Sequence, residues 1–195
     1  EVAVQYACLL VDLDVQLLRA RIIKGIVAKA GAPSRVNMVN ADFIAKQRGL
    51  RIQEEIVPDE IPDRLTTAAA LRSISIQVEG GGSFTGAINQ FGNMEIVGEV
   101  RDGQPYITKV GGYGLSFMLE GNIILSTVHD GPGLLAAVGE VLSKEDISIT
   151  FVSLAHATEV KLSLVVIGMD TVPSPQCIQE LQNAQCMQSC VHLQF

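Results

Sequence analysis

The run Gly131-Pro132-Gly133-Leu134-Leu135-Ala136 matches GxGxxA and lies between a strand-like run and an amphipathic, helix-like run. That context suits a cradle for a dinucleotide pyrophosphate. Three features oppose this reading. The next strand-like run, Ile147–Leu154, has no Asp or Glu at its end to hold a ribose. The elements that follow do not repeat a βαβ unit. Pro132 also removes an amide that a pyrophosphate would use. What remains is a helix start whose N–H groups, at Gly133 to Leu135, and positive dipole end attract a carboxylate. Asp130, immediately before it, can accept hydrogen bonds from an ammonium group, so the two together suit a zwitterionic amino acid. The plainer role for Asp130 is capping the helix.

A second group is Asn37 and Asn40, which flank a short apolar run and precede Lys46 and Arg48. Their amides can bind an anion, or simply form a turn and a cap. The histidines, His129, His156 and His192, have no acid–base partner fixed by spacing, and no Ser lies in a nucleophile elbow. No catalytic constellation is visible. The thiols Cys8, Cys177, Cys186 and Cys190 form no CxxC pair. They read as reduced and partly buried, which implies a reducing compartment.

The elements that position these groups fall into two textures, with a boundary at Glu120-Gly121-Asn122. In residues 1–120, Val2-Ala3-Val4 and Cys8–Val11 are strand-like. Val15–Lys29 repeats its apolar residues at helical period and ends before Gly31. Arg35–Val39 is expected as a short strand, followed by a helix over Ala41–Arg48 that Asn40 caps and Gly49 stops. A polar stretch with Pro58 and Pro62 follows. Period-two alternation then marks four strands, at Ile74–Val78, Ile96–Val100, Tyr106–Val110 and Leu115–Leu119, with Asp102-Gly103 as a hairpin turn. Residues 121–195 read β (Ile123–Val128), α (from Pro132 to Leu142), β (Ile147–Leu154), β (Val160–Ile167), α (Pro175–Asn183) and β (Met187–Phe195). The fold class is therefore α+β. An antiparallel meander with two helices is followed by a ferredoxin-like βαββαβ lobe. Such a sheet leaves one face and its edges uncovered, and a second copy is a natural cover.

Composition narrows the function further. With 195 residues, 48% hydrophobic and 18% charged, the chain can bury a core. A net charge of −7 argues against nucleic acid as a partner. The basic clusters Arg19/Arg21/Lys24 and Lys46/Arg48/Arg51 read as solvated helix faces. No run of 18 apolar residues exists to span a membrane. The chain opens on Glu1 inside a strand-like run, as expected for a piece of a longer polypeptide.

The run Val36-Asn37-Met38-Val39-Asn40-Ala41-Asp42-Phe43-Ile44-Ala45-Lys46-Gln47-Arg48-Gly49-Leu50 closely resembles a signature of the intervening domain of the D-3-phosphoglycerate dehydrogenase family. The resemblance continues through Gly98–Gly103 and Thr108–Gly111. It ends in Leu119–Leu125, the entry to that family's C-terminal ACT domain, and so covers nearly the whole chain. The wording is nearest to plant, plastid-type members.

The resemblance implies the regulatory and oligomerisation portion of an NAD-dependent enzyme that commits 3-phosphoglycerate to serine synthesis. The catalytic His–Glu pair, the anion-binding Arg and the NAD glycines would lie upstream of Glu1. This chain would then hold no cofactor of its own, NAD belonging to the parent enzyme, and would sit in the plastid stroma if plant-type, otherwise in the cytoplasm. In serine-responsive members two ACT domains pair edge to edge and bind serine between them. Those positions match Asp130 from one subunit and Ser148 from the other, and the helix-start amides of Gly133 and Leu134 read above complete the candidate site. Ser148 stands where Asn is more usual, and Gly131 where Arg is common. Losing one charge-assisted bond costs about 1.5–3 kcal/mol, or about tenfold to a hundredfold in affinity. The family's intervening domain can also bind an anionic effector; Lys109 is the position the resemblance suggests, in addition to the Asn37 amide singled out above. Two other readings stand beside this one. A stand-alone ACT-type amino-acid-sensing or scaffolding protein would carry an initiator Met near Glu1. An iron–sulfur serine dehydratase subunit would need a set of three cluster cysteines that is not present.

Overall fold

The computed structural model describes residues 1–8, 14–28, 36–58, 71–79, 93–129, 131, 133–156, 162–184 and 187–195. They form two compact units, Glu1–Glu79 and Gly80–Phe195. The boundary expected at Glu120-Gly121-Asn122 falls inside the second of these.

The first unit runs β1 (Val2–Cys8), α1 (Gln16–Ala28), α2 (Ala41–Gln47), β2 (Ile52–Pro58) and β3 (Leu71–Glu79). Its strands lie in the order β2-β1-β3. β2 is parallel to β1, and β3 is antiparallel to it. Val2, Val4, Tyr6 and Cys8 alternate into the core beneath Leu18, Ile22 and Ile26 of α1. The opposite stripe of α1, Ala20, Ile23 and Val27, packs on Ala41 and Ala45 of α2. α1 can bury both stripes because it is sandwiched between the sheet and α2.

Three expectations change here. Asn40 stands at the N-cap of α2 but without a side-chain capping bond. Met38–Asn40 is a turn rather than part of a strand. Asn37 Oδ1 accepts the N–H groups of Val39 and Asn40, and Asn40 Oδ1 accepts the Asn37 N–H at 2.7 Å. These local bonds outcompete an extended conformation. The stretch after Gly49 also contains a strand, β2, where a polar connection was expected. Its inward positions are Ile52, Glu54 and Ile56, so a carboxylate interrupts the apolar alternation. The stop at Gly49 is as expected. Its φ is +69°, and its N–H and that of Leu50 donate to the carbonyls of Lys46 and Ala45, which closes α2 with a Schellman motif. Leu9, Leu10, Val11, Lys29, Gly31, Arg35 and Pro62 lie outside the described residues.

The second unit begins with a meander, β4 (Asn93–Arg101), β5 (Gln104–Val110) and β6 (Tyr113–Met118). Asp102 and Gly103 both have positive φ, +50° and +79°, as a primed hairpin turn requires. The lobe that follows is β7 (Asn122–His129), α3 (Leu134–Ser143), β8 (Ile149–His156), β9 (Leu162–Met169), α4 (Pro175–Gln182) and β10 (Met187–Gln194). Val160, the expected start of β9, lies outside the described residues. The sheet order is β10-β7-β9-β8, with every neighbouring pair antiparallel. This is the ferredoxin-like arrangement of an ACT-like domain. Leu134, Val138 and Leu142 of α3 and Cys177 and Leu181 of α4 pack on Ile124, Val128, Val165 and Ile167. Ser174 caps α4, accepting the Cys177 N–H at 3.1 Å.

The opposite face of that sheet is covered from within the chain. Val110, Tyr113, Leu115 and Phe117 of the meander pack on Ile123, Leu125, Leu164 and Val166. The Phe117 and Phe151 rings stack with centroids 6.4 Å apart, and Tyr113 donates to the Leu162 carbonyl. The face expected to need a second copy is therefore already buried, and the edges β8 and β10 remain. Cys8, Cys177 and Cys190 are buried free thiols, and burial pushes the Cys190 thiol up to about 11. Cys186 lies outside the described residues. No helix among the described residues is long and apolar enough to cross a membrane.

Candidate effector site

β7 delivers the chain to the start of α3 through Gly131 and Gly133. Asp130 and Pro132 lie outside the described residues. Gly133 takes the N-cap position of α3 at φ +92°, a left-handed conformation that favours glycine. It supplies no capping side chain. The first helical bond is from Ala137 N–H to the Gly133 carbonyl. The amides of Leu134, Leu135 and Ala136 thus head the helix without intrahelical partners. Leu134 is buried in the core, so it can offer a ligand its N–H group and not its side chain.

This turn does not fit a dinucleotide. β7 and β8 are separated by β9 and every pairing is antiparallel, so no crevice forms beyond the carboxyl ends of parallel strands.

Ser148 precedes the edge strand β8. Its N–H donates to Asp170 Oδ1 at 2.9 Å, and its carbonyl accepts the Asp170 N–H at 3.1 Å. The hydrogen bond from the Ser148 N–H, with a second from the Thr171 hydroxyl, holds the Asp170 carboxyl below its ordinary pKa. The structure does not bring Ser148 and Gly133 together within one chain. Ile149 and Asn122 both register with Met169 at one end of the sheet. His129 registers with Leu162, and His156 with Ser163, at the other. The length of β8 separates the two positions by roughly 20 Å.

Asn37 lies in the first unit and Lys109 in the second. The Asn37 carbonyl oxygen is engaged in the turn described above. Lys109 Nζ pairs with Glu95 Oε2 of the neighbouring strand at 2.7 Å. His129 accepts from, or donates to, Gln188 at 3.1 Å, and His156 Nδ1 lies 2.7 Å from the Ser163 hydroxyl. Among the described residues, no three His, Cys, Asp or Glu side chains converge as metal ligands would.

Sequence reasoning missed a polar network in the first unit. Buried Tyr6 donates to Glu54 Oε1 at 2.8 Å, the other Glu54 oxygen pairs with Arg19, and Arg19 Nε donates to Asp42 Oδ1 at 2.7 Å. The carboxylates raise the Arg19 pKa further against the cost of its burial. Arg19 and Asp42 line a cavity of about 390 Å³ with Lys46, Arg51, Leu50 and Ile52. The one signal in the sequence was Glu54, a carboxylate between the inward-facing Ile52 and Ile56.

Residues 1–97 match the family described as the D-3-phosphoglycerate dehydrogenase intervening domain. The chain is 36% identical over 185 residues to D-3-phosphoglycerate dehydrogenase 2, chloroplastic, of Arabidopsis thaliana, covering 94% of this chain and 29% of that protein. It is 33% identical to the chloroplastic isoform 3 of the same plant, covering 94% and 31%. Against the D-3-phosphoglycerate dehydrogenase of Bacillus subtilis (strain 168) it is 25% identical, covering 94% and 32%. The chain thus spans about three-tenths of the length of these relatives. With an intervening-type unit followed by an ACT-like lobe, the chain belongs to the D-3-phosphoglycerate dehydrogenase family, of which it represents the C-terminal part.

Proposed function

We propose that this chain is the regulatory and oligomerisation portion of an NAD-dependent D-3-phosphoglycerate dehydrogenase, and that two copies form a site for a small amino acid such as serine. One observation carries the reading. The α3 start and Ser148 lie at opposite ends of the sheet, so a ligand touching both needs two chains. Antiparallel pairing of two β8 edges turns one lobe end for end, which brings Ser148 of one copy toward the α3 start of the other. The β8 edge suits such pairing because Ile149, Val152 and Leu154 are each about 40% exposed on it. The α3 amides then serve the carboxylate, and Asp130 serves the ammonium group. The chloroplast label of the two plant relatives supports a plastid location.

Calorimetric titration of the purified chain with serine, glycine and other small amino acids tests the site, and sedimentation tests the assembly. The expected results are a dimer and serine binding that requires Asp130. A 20.9 kDa monomer at micromolar concentration, or an Asp130→Ala variant that binds serine as well as the parent, overturns the reading. The chain alone is expected to form no NADH from 3-phosphoglycerate.

A further inference from the structure

Two polar atoms lie in the core of the ferredoxin-like lobe without a hydrogen bond among the described residues. They are Asn122 Oδ1, at the start of β7, and His192 Nε2, on β10. Asn122 is only 9% exposed. The strand registers put both side chains on one face. Asn122 pairs with Met169, and His192 pairs with Ile124. Met169 and Ile124 belong to the cluster packed beneath α3 and α4, so Asn122 and His192 enter the same layer. β7 and β10 are neighbours in the sheet, and Asn122 registers with Gln194, two residues beyond His192. The two residues are therefore diagonal neighbours, with Cα atoms about 7–8 Å apart, close enough for one small group to bridge their polar tips.

A polar atom left unpaired in an apolar layer is costly, and in folded proteins such atoms nearly always find a partner. The surrounding side chains do not supply one. Ile124, Met169 and Leu181 are apolar. Gln182, which reaches β10 from α4, gives its amide to the Cys190 carbonyl at 3.2 Å. Cys177 and Cys190 share the layer with His192, but among the described residues no three such groups converge as metal ligands would. The two orphan atoms suit one water molecule. Oδ1 is an acceptor, Nε2 is a donor or an acceptor according to tautomer, and water can serve either combination. Two polar partners also meet the minimum that a buried water needs. We propose that Asn122 and His192 hold one buried water between β7 and β10, as a fixed part of the lobe. The water ties an edge strand to its neighbour at the sheet end that carries Ser148, because Asn122 and Ile149 both register with Met169. The site lies within the second unit and stands whether or not an amino acid binds there.

Two measurements on the full chain test this. Water-selected nuclear Overhauser spectra of the parent should show a long-lived water in contact with the carbon-bound ring protons of His192 and with the side-chain amide protons of Asn122. Water relaxation dispersion counts the long-lived internal waters. The double variant Asn122→Leu, His192→Leu removes both polar atoms together, so no new orphan is left behind, and it should hold one such water fewer than the parent. An equal count in parent and double variant overturns the proposal. So does a parent spectrum with no water contact at His192, which is also the result if the imidazole and the Asn122 amide bond directly to each other. The Overhauser measurement needs only the parent chain, so it decides the matter even if the double variant does not fold. Serine titration is read at Ser148 and the α3 start, so the amino-acid reading succeeds or fails separately.

Discussion

Tyr6 of β1 donates its hydroxyl to Glu54 of β2 across a parallel strand pair, and the same carboxylate grips Arg19. A buried phenol thereby orients the ion pair between Glu54 and Arg19. Burial, and then the hydrogen bond to Glu54, push the phenol above its ordinary pKa. Because the folded value is raised, this contribution to stability is fully present below the unfolded tyrosine pKa of about 10 and fades as the pH rises above it. Tyr6→Phe should cost about 1.5–3 kcal/mol at neutral pH, the range for a hydrogen bond to a charged group. Urea unfolding of both proteins from pH 7 to 11 should show the gap narrowing above about pH 10. A constant gap would mean that the phenol does not ionise on unfolding as described.

Asp170 gives the opposite pH dependence. Its carboxyl is held below its ordinary pKa by the Ser148 N–H first and the Thr171 hydroxyl second. The stability it adds is present above the unfolded value of about 4 and is lost as the pH falls through the lower folded value. Asp170→Asn should lower the thermal midpoint at pH 7 and matter less at pH 3. Equal losses at both pH values would rule out the carboxylate as the source.

Phe117 joins the meander to the lobe. It is buried, and its ring stacks on Phe151. Phe117→Ala should destabilise the second unit by about 3–5 kcal/mol. Hydrogen exchange should then accelerate in β8 and β9 as well as in β6. Acceleration confined to β6 would show that meander and lobe unfold independently.

Gly168 sits on β9 opposite the irregularity at Ile149–Phe151 of β8. A methyl group there would collide with the Phe151 ring and with Thr150 Oγ1, 2.6 Å away. Gly168→Ala is expected to cost about 1–3 kcal/mol. In a Phe151→Ala background the same change should cost less, because the ring it strikes is gone. Additive losses in a double-mutant cycle would count against this steric account.

The sequence makes the ferredoxin-like lobe legible because its periods are clean. Runs such as Leu134-Leu135-Ala136-Ala137-Val138 and Leu162-Ser163-Leu164-Val165 each match one template, and turns such as Asp102-Gly103 separate them. β2 was hidden because Glu54 occupies an inward position that only Arg19 and Tyr6, distant in sequence, make tolerable. The turn at Met38–Asn40 was misread because Val36, Met38 and Val39 favour a strand while Asn37 and Asn40 bond locally. Within the candidate effector site, the sequence placed the helix start at Pro132, two residues before the first residue of α3, Leu134, and Ser148 was legible from the resemblance. The Asp170 contact to Ser148 could not be read, since it joins residues 22 positions apart through a side chain. The cavity at Arg19, Lys46 and Arg51 was unreadable for the same reason. Its cations looked like two solvated faces until the α1–α2 packing put them on one wall.

The strip Ile123, Leu125, Leu164 and Val166 lies beneath strands that come earlier in the chain. The lobe is therefore a poor cassette. Moved by itself into another protein, residues 121–195 would carry a bare apolar stripe and an incentive to aggregate. A piece that begins near Gly80 brings its own lid, so that is the better joint for exchanging this part between proteins by recombination or by design.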